Sequence, residues 1–369
     1  MTTNNHQIVE SVVAAFAQGE IVVVADDDDR ENEGDLFVAA SMCTPEKMAF
    51  IIRHTSGIVC APVALEQAKR LHLDPMVALN DAPLGTAFTV SVDVRHGLTT
   101  GISAEERTNT VRALANGNSG AADFVRPGHV FPLVAREGGV LMRSGHTEAC
   151  VDLCRLAGLP AVGVLSELMN DDGTVMRGAD VAAFATRHKL KRITIADLIA
   201  YRQAREKLVD RIGEFAVTTE IGELKGYAYM THFDQVHHMA VVYGRIGDGR
   251  DVPTRLHRAN LIRDVFGGAN TVPRVLQHFK REGRGVMVFL RDGSVGVPVS
   301  AIPKSTSDKN GDSGSEAERQ RQWREIGLGA QILKDLGISS IRLITAAKHR
   351  YVGLAGFGIE IVATEPIKD

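Results

Sequence analysis

The feature that most restricts the fold of this chain is a short apolar run that leads directly into a dense cluster of charges. The run Ile21–Val24 is apolar and mostly β-branched, which predicts a short buried strand. Four aspartates follow at positions 26–29, and then come Arg30, Glu31, Glu33 and Asp35. Carboxylates this close together repel one another unless a positive charge lies among them, so we expect either Arg30 or a divalent cation there. A solvated acidic turn is the alternative, and the spacing does not match a calcium-binding loop.

The composition is that of an ordinary globular protein. The 369 residues are enough for two domains with separate cores, and 44% of them are hydrophobic and 24% charged. A net charge of −3 gives no basic field, so we expect no binding to nucleic acid or to an anionic membrane. No apolar run is long enough to span a bilayer, and the N-terminus lacks a signal core. The four cysteines form no C-x-x-C pair, which predicts reduced thiols in a cytoplasmic protein.

Strand-like and helix-like patterns alternate along the chain, and the alternation restarts near residue 205, where the polarity rises. We therefore predict an α/β (α+β) protein with two domains, residues 1–206 and 214–369. Each domain is expected to be a mixed sheet covered by helices.

Local signals predict individual elements. In the first half they predict helices over 8–18 and 148–157, a half-buried strand over 88–94, a mobile loop over 74–87 and a rigid loop over 126–132. Thr44 and Ser103 have the spacing of helix N-caps. In the second half they predict helices near 271–282 and 318–336, strands at 227–231, 239–243, 286–290 and 341–344, and disorder over 305–315.

A second informative stretch begins where an apolar run from Val140 to Met142 ends. It continues as Arg143, Ser144, Gly145, His146 and Thr147, ahead of the predicted helix. An arginine together with the backbone N–H groups at a helix start is a favourable site for a phosphate. Arg143 could equally pair with the acidic loop and bind no ligand, and spacing leaves both interpretations open.

The polar residues of the first half form a candidate catalytic set. They lie just beyond predicted strands or in loops rich in glycine and proline: Arg30, Glu31, Asp35, His129, Arg143, His146, Thr147 and Glu167. A carboxylate and an imidazole could hold Mg²⁺ or Mn²⁺, and a second carboxylate and histidine would transfer protons. This set suits enolisation of a phosphorylated sugar. Alternatively, His129 is a structural histidine and Glu167 ends its strand in a surface salt bridge.

Five longer segments occur in order in the first half. They are Asp28-Asp-Arg-Glu-Asn-Glu-Gly-Asp35, His54-Thr-Ser-Gly-Ile-Val-Cys60, Arg126-Pro-Gly-His-Val-Phe-Pro-Leu133, Arg143-Ser-Gly-His-Thr-Glu-Ala149 and Asn170-Asp-Asp-Gly-Thr174. Together they make residues 1 to about 205 closely resemble the 3,4-dihydroxy-2-butanone-4-phosphate synthase family of riboflavin biosynthesis. That family converts D-ribulose 5-phosphate to 3,4-dihydroxy-2-butanone 4-phosphate and formate, so the resemblance implies a Mg²⁺-dependent lyase without an organic cofactor.

The resemblance also implies a role for individual residues. Glu31 would bridge two Mg²⁺ (or Mn²⁺) ions, and His146 would bind one of them. Substrate would be bound by Arg30, Glu31, Asp35, Arg143, Ser144, Gly145, His146, Thr147 and Glu167. His129 and Glu167 would be the catalytic proton-transfer groups. The family's active site lies near a homodimer interface, so we expect a homodimer that acts on a small-molecule substrate. Cys60 matches a cysteine near that site, and a packing role for its thiol is an equal alternative.

Segments of the second half resemble GTP cyclohydrolase II from about residue 215 to 365. They are His257, Asp264-Val-Phe-Gly267, Gly329–Gly337 and Ile341–Thr345. That family binds a catalytic zinc through three cysteines, but this chain has no cysteine after Cys154. Asn260, Thr271 and Pro273 stand about where those thiolates belong, and such side chains are poor Zn²⁺ ligands or none. We therefore expect a degenerate, non-catalytic domain without zinc.

Two alternatives remain for the second domain. One is a bifunctional enzyme that also hydrolyses GTP at a site without zinc. The other is a module that binds a nucleotide or flavin without turnover.

Overall fold

The computed structural model describes residues 2–26, 32–82, 85–232, 236–260, 264–265, 270–291, 327–345, 354 and 358–367. Backbone contacts divide the chain into two compact units, residues 1–202 and 203–369. In its described part, each unit is built on a seven-stranded sheet of its own. Within these ranges, no helix has the length and apolar character needed to cross a membrane.

The first unit alternates strands with helices. Its helices are α1 (Thr2–Ala17), α2 (Pro45–His54), α3 (Leu65–Arg70), α4 (Ala104–Ala115), α5 (His146–Leu156), α6 (Gly178–Arg187) and α7 (Ile195–Arg205). Its strands are β1 (Val22–Ala25), β2 (Gly34–Ala39), β3 (Cys60–Val63), β4 (Val92–Val94), β5 (Phe124–Val134), β6 (Gly163–Glu167) and β7 (Lys191–Thr194).

The sheet of the first unit has the order β4-β5-β3-β6-β2-β1-β7. β1 pairs in parallel with β7, and β3 with β5, while the other neighbouring pairs are antiparallel. β1 and β2 form a hairpin whose stem is closed by a 2.9 Å hydrogen bond from Asp26 N to Glu33 O. The acidic run therefore connects two strands of the same sheet, and the second of them, β2, also pairs with β6.

Helices cover both faces of this sheet. On one face, Met48 of α2, Leu114 of α4 and Phe184 of α6 pack into a common core with Leu36 and Val164. On the other face, α1 lies against β1, β2 and β7, and α5 lies against β2, β3 and β6. Because side chains alternate along a strand, residues 35 and 37 of β2 face α5 while Leu36 faces the larger core.

The predicted helix starts are confirmed. Thr44 Oγ1 accepts a hydrogen bond from Lys47 N at 3.4 Å, with Pro45 as the first helical residue of α2. Ser103 Oγ accepts one from Glu106 N at 3.2 Å at the start of α4. These side chains satisfy N–H groups that have no partner inside the helix.

Three predictions for the first unit were wrong in detail. The strand expected over 88–94 is regular only at Val92–Val94, with isolated pairs at Phe88 and Thr89. The rigid loop expected over 126–132 belongs to β5, whose register against β4 jumps between Val92 and Asp93. Residues 126–129 therefore form a long bulge, which accommodates Pro127 because a bulged residue need not donate to the sheet. The helix expected from residue 148 already begins at His146.

The second unit has a sheet of order β14-β13-β11-β12-β10-β9-β8. Its strands are β8 (Val209–Thr219), β9 (Gly222–Thr231), β10 (His237–Tyr243), β11 (Val252–Arg258), β12 (Gly285–Leu290), β13 (Ser340–Thr345) and β14 (Glu360–Pro366), and α8 spans Thr271–Glu282. Phe279 of α8 packs with Met287 and Ile344 on one face. A helical segment over 327–335 lies on the other face, where Asp335 accepts a 2.8 Å hydrogen bond from Tyr229.

The prediction of two α/β domains with mixed sheets is confirmed. The run 305–315 and the first part of the helix predicted near 318–336 lie outside the described residues. β8, β11 and β14 carry no strand prediction of their own. Most of β8 is exposed, so its sequence lacks the apolar alternation that marks a half-buried strand.

Candidate functional site

Asp35 and His146 face each other on the α5 side of the first sheet. Asp35 Oδ1 lies 4.0 Å from His146 Nε2, and both side chains are buried. The His146 ring also meets Phe37 edge-on, with 6.0 Å between ring centroids. Since Phe37 lies two residues after Asp35, one face of β2 presents the carboxylate and supports the imidazole.

Glu167 is the cross-strand neighbour of Asp35, at the point where β6 reaches solvent. Partial burial raises the pKa of its carboxyl, and the nearby Glu33 carboxylate raises it further, while a hydrogen bond with the Ser56 hydroxyl acts in the opposite direction. A carboxyl group with a raised pKa keeps its proton closer to neutral pH, which suits proton transfer.

The start of α5 brings the residues of the second informative stretch to the same place. Gly145 is the N-cap, and His146 and Thr147 are the first helical residues. Arg143 Nη1 donates a 2.7 Å hydrogen bond to Glu148 Oε2, and Glu148 is almost completely buried. A Cβ on Gly145 would overlap both the Arg143 guanidinium and the Glu148 carboxylate, so this pair passes over a position that only glycine can fill.

His129 lies in the bulge of β5 and is held by Asp93 of β4. Asp93 Oδ1 accepts a 2.8 Å hydrogen bond from His129 N, and Asp93 Oδ2 lies 2.7 Å from His129 Nδ1. Asp93 is buried, whereas 41% of the His129 side chain is exposed. A buried carboxylate on one ring nitrogen fixes the orientation of the imidazole and leaves the other nitrogen toward solvent, an arrangement suited to general acid–base chemistry.

Sequence reasoning missed Asp93 and Glu148. Asp93 stands between two valines in a predicted strand, and an acid inside an apolar run was the available signal. Glu148 stands in one of the segments that carry the family resemblance, but its residue type alone does not predict a buried partner for Arg143. Both are buried acids that hold a predicted site residue.

The structure unites some of the predicted residues and separates others. Asp35, His146 and Glu167 lie together, and Arg143–Thr147 joins them along the chain. His129 stands apart, because β3 separates β5 from β6 in the sheet. At the usual strand spacing, β5 and β6 are about 10 Å apart. Arg30 and Glu31 lie outside the described residues.

The donor set fits a divalent cation in chemical character. Asp35 supplies a carboxylate and His146 an imidazole, and Mg²⁺ and Mn²⁺ accept oxygen donors and, for Mn²⁺ more readily, nitrogen donors. Within the described ranges, no group of three or more His, Cys, Asp or Glu side chains is arranged to hold a metal ion. The predicted ligand Glu31 falls outside those ranges.

Cys60 is buried on β3, near the charges of Glu167 and Asp35. Burial raises the pKa of its thiol far above the ordinary value, and the two carboxylates raise it further. The thiol is therefore uncharged at neutral pH, which fits a packing role and not that of a nucleophile.

The second unit has a histidine–aspartate pair of another kind. His257 Nε2 lies 3.0 Å from Asp264 Oδ2, which also accepts a 2.9 Å hydrogen bond from Asn260 N. The His257 ring stacks on Phe289, with 4.9 Å between centroids. Thr271 begins α8, and Pro273 lies in its first turn. Neither residue can supply a thiolate, so the residues at these positions do not fit a three-cysteine zinc site.

Family models match both halves of the chain. The model for 3,4-dihydroxy-2-butanone 4-phosphate synthase matches residues 10–201, and the model for GTP cyclohydrolase II matches residues 210–366.

Similar proteins align over nearly the whole chain. The bifunctional riboflavin biosynthesis protein RIBA 1 of Arabidopsis thaliana is 44% identical over 381 residues, covering 100% of this chain and 70% of the relative. The riboflavin biosynthesis protein RibBA of Salinispora arenicola is 45% identical over 369 residues, covering 96% and 87%. The monofunctional riboflavin biosynthesis protein RIBA 2 of Arabidopsis thaliana is 43% identical over 371 residues, covering 99% and 78%.

Solved structures of 3,4-dihydroxy-2-butanone 4-phosphate synthases are also similar to this chain. A two-domain 3,4-dihydroxy-2-butanone 4-phosphate synthase from A. baumannii, RibBX, is 36% identical, with a TM-score of 0.79 and coverage of 96% of this chain and 99% of that chain. A 3,4-dihydroxy-2-butanone 4-phosphate synthase in complex with two magnesium ions is 48% identical, with a TM-score of 0.53 and coverage of 53% and 97%.

These comparisons correct one expectation. The second half is a recognised member of the GTP cyclohydrolase II family, and RIBA 1 of Arabidopsis thaliana, which aligns with the whole chain, is named bifunctional. That finding contradicts the expectation of a non-catalytic domain and supports the bifunctional alternative. The chain thus belongs to the 3,4-dihydroxy-2-butanone 4-phosphate synthase family, lyases of riboflavin biosynthesis, with a GTP cyclohydrolase II domain fused behind it.

Proposed function

We propose that residues 1–206 convert D-ribulose 5-phosphate to 3,4-dihydroxy-2-butanone 4-phosphate and formate. The observation that carries this proposal is the grouping of Asp35, His146 and Glu167 at the start of α5. It combines an imidazole suited to a divalent cation, a carboxylate suited to substrate hydroxyl groups, a proton-transfer group with a raised pKa, and a helix start that favours a phosphate.

The site residues divide by task. Glu31 and His146 would hold two Mg²⁺ ions, or Mn²⁺, which polarise the substrate hydroxyl and carbonyl oxygens when bound. Arg30, Asp35 and the segment Arg143–Thr147 would bind and orient the sugar phosphate. Magnesium in a 48% identical synthase supports this metal.

Glu167 and His129 would move protons. The reaction splits a five-carbon sugar phosphate into a four-carbon phosphate and formate without net water or electrons, so proton shuttling is the main task left to side chains. Glu167, with its raised pKa, is suited to removing a proton during enolisation. Asp93 fixes the His129 imidazole so that one ring nitrogen faces solvent and can exchange a proton during dehydration and migration.

The assembly we propose is a homodimer. Within one chain, His129 lies on β5 and Asp35 on β2, and at the usual strand spacing these strands are about 14 Å apart, which a single small substrate does not easily span. In a homodimer, the histidine of a second copy would complete the site from a shorter distance.

A second candidate function belongs to residues 214–369. Membership of the GTP cyclohydrolase II family and relatives with bifunctional names support hydrolysis of GTP by this domain. We propose that no thiolate-bound zinc takes part, because the chain has no cysteine after Cys154.

One assay tests both functions. The purified chain is incubated with Mg²⁺ and ribulose 5-phosphate, and separately with GTP, and formate is measured in both, since both family reactions release it. Formate from the sugar phosphate supports the lyase, and its absence there overturns the proposal. Formate from GTP that survives treatment with a zinc chelator supports a zinc-free cyclohydrolase. Formate from GTP that disappears with the chelator contradicts the zinc proposal, and none at all refutes the second function.

A further inference from the structure

Two buried acids of α5 hold the segment that precedes it. Glu148 and Asp152 are four residues apart, so they lie on one side of the helix, and each is almost completely buried. The segment over residues 136–145 passes over that side before it enters the helix at Gly145.

Glu148 binds the segment near both of its ends. Its Oε1 accepts a 3.0 Å hydrogen bond from Arg136 N, and its Oε2 accepts the 2.7 Å bond from Arg143. One carboxylate thus fixes a backbone position and the guanidinium that we assign to substrate binding.

Asp152 binds the middle of the segment. Its Oδ2 accepts a 2.8 Å hydrogen bond from Val140 N and a 2.6 Å charge-assisted hydrogen bond from Arg202 Nη1 of α7. Arg202 Nη1 also donates to Gly138 O at 2.9 Å. Asp152 and Arg202 therefore bind the backbone on both sides of Gly139. A Cβ on Gly139 would overlap the Asp152 carboxylate.

The burial of these charges argues for a positioning role. An ion pair taken out of water gains little net stability, because the desolvation cost offsets the attraction, and an apolar pair would serve packing as well. The charged pair instead fixes the position of the segment, because its hydrogen bonds are directional and each one holds one backbone atom. Gly138 and Gly139 both have left-handed backbone conformations, which glycine adopts readily, so the segment can turn tightly at the point where Asp152 and Arg202 bind it.

We propose that Asp152 and Arg202 are positioning residues of the synthase site. They hold residues 136–145 so that Arg143 and the first turn of α5 meet the phosphate of the substrate in a preformed arrangement. This inference rests on the proposed lyase function and adds two residues to its machinery, neither of which touches the substrate.

Arg202→Gln is the first test, with inorganic phosphate as a competitive probe. We expect KM for ribulose 5-phosphate and the inhibition constant of phosphate to rise together by about tenfold, while kcat changes less than about threefold. A purely structural loss would instead lower the active fraction, and so kcat, at unchanged KM.

Arg155→Gln is the matched control, because Arg155 pairs with Glu66 at 3.7 Å on the exposed side of α5, the helix that carries Asp152. Its KM and phosphate constant should equal those of the unmodified chain. If Arg202→Gln does not fold, the double variant Asp152→Asn with Arg202→Gln, which removes both buried charges, is measured in the same way. A folded variant with unchanged KM and phosphate constant overturns the inference. Absence of turnover in the unmodified chain would instead refute the lyase, and phosphate affinity from calorimetry would still test the positioning.

Discussion

The two units each contain a histidine paired with an aspartate, but the surroundings of the imidazoles differ. In the first unit, the His129 side chain is 41% exposed and its partner Asp93 is 4% exposed. In the second unit, His257 is 6% exposed, Asp264 is 12% exposed, and the ring is stacked on Phe289. The same type of pair therefore leaves the imidazole partly open to solvent in the first unit and encloses it among side chains in the second.

This difference shows that a residue type in a family position does not determine its task. A buried acid behind an open imidazole gives an oriented base, whereas an enclosed imidazole mainly satisfies buried polar groups. If this distinction holds, substitutions at the His129–Asp93 and Asp35–His146 pairs should reduce lyase activity. Substitutions at the buried histidines of the second unit should leave lyase activity unchanged.

The largest effect is expected at the proposed metal ligands. His146→Gln removes the imidazole beside Asp35, so kcat should fall by about 10³-fold, and the Mg²⁺ concentration for half-maximal rate should rise. Glu31→Gln should have a similar effect with the fold intact. The control His96→Gln alters a histidine on the surface and should leave the rate unchanged. Near-normal activity of His146→Gln would remove it from the metal site.

The second-largest effect on activity is expected from removal of the Glu167 carboxyl, whose pKa is raised. Glu167→Gln should lower kcat/KM by about 10²-fold, in the range of general acid–base catalysis. If the ionised carboxylate is the base, the rate of the unmodified chain falls as the pH drops below a pKa that lies above the ordinary glutamate value. Glu33→Gln removes a charge that raises this pKa, so the acid limb of the profile should move to lower pH. A limb that stays in place would contradict this electrostatic cause.

The orientation of His129 can be tested at its partner. Asp93→Asn keeps the shape but loses the charge, and kcat should fall roughly 10- to 100-fold because the imidazole is no longer held in one tautomer. The matched control is Asp123→Asn, since Asp123 pairs with His96 at the surface at 3.2 Å. Equal effects of the two substitutions would mean that the buried pair has no special role.

A buried histidine of the second unit should affect stability and not lyase activity. Burial lowers the pKa of His238 to about 4, the charge of Arg291 contributes, and its Nδ1 accepts a hydrogen bond from Arg291 N. A depressed histidine pKa gives stability that is present above the unfolded value of 6.5 and is lost as the pH falls toward 4. Between pH 7.5 and 5 the loss should be about 2 kcal/mol. Urea unfolding of His238→Gln should lack that pH dependence, and an identical dependence would disprove the assignment.

The smallest effect is expected at the enclosed pair. His257→Ala should leave formate production from ribulose 5-phosphate unchanged, because His257 pairs with Asp264 and stacks on Phe289, which both belong to the second unit. Steady-state kinetics of the lyase give the answer. A large loss of lyase activity in this variant would show that the second domain influences the first, and it would contradict a purely structural role for His257.

The sequence predicts the elements with local signals. Thr44 and Ser103 mark their helices because a cap depends on residues three positions apart, and the core strands β1, β3 and β6 are visible as apolar runs. No local signal shows that Asp35 lies beside Glu167, because these residues are 132 positions apart and meet through the pairing of β2 with β6. The family resemblance placed both residues in one site, but it did not give this register.

The roles of Asp93, Glu148 and Asp152 could not be predicted for the same reason. Each acts through a hydrogen bond to a residue outside its own helix or strand, and their identity as acids does not distinguish them from surface residues. The bulge that places His129 over Asp93 arises from a shift in strand register, which two prolines and a glycine suggested only as a loop.

The most direct test of the lyase follows the carbon that is lost. The purified chain is incubated with Mg²⁺ and ribulose 5-phosphate labelled with ¹³C at C4, and the products are followed by ¹³C NMR. The account predicts that the label appears in formate and that the four-carbon phosphate is unlabelled. Label retained in the phosphorylated product, or no formate at all, would contradict the proposed reaction.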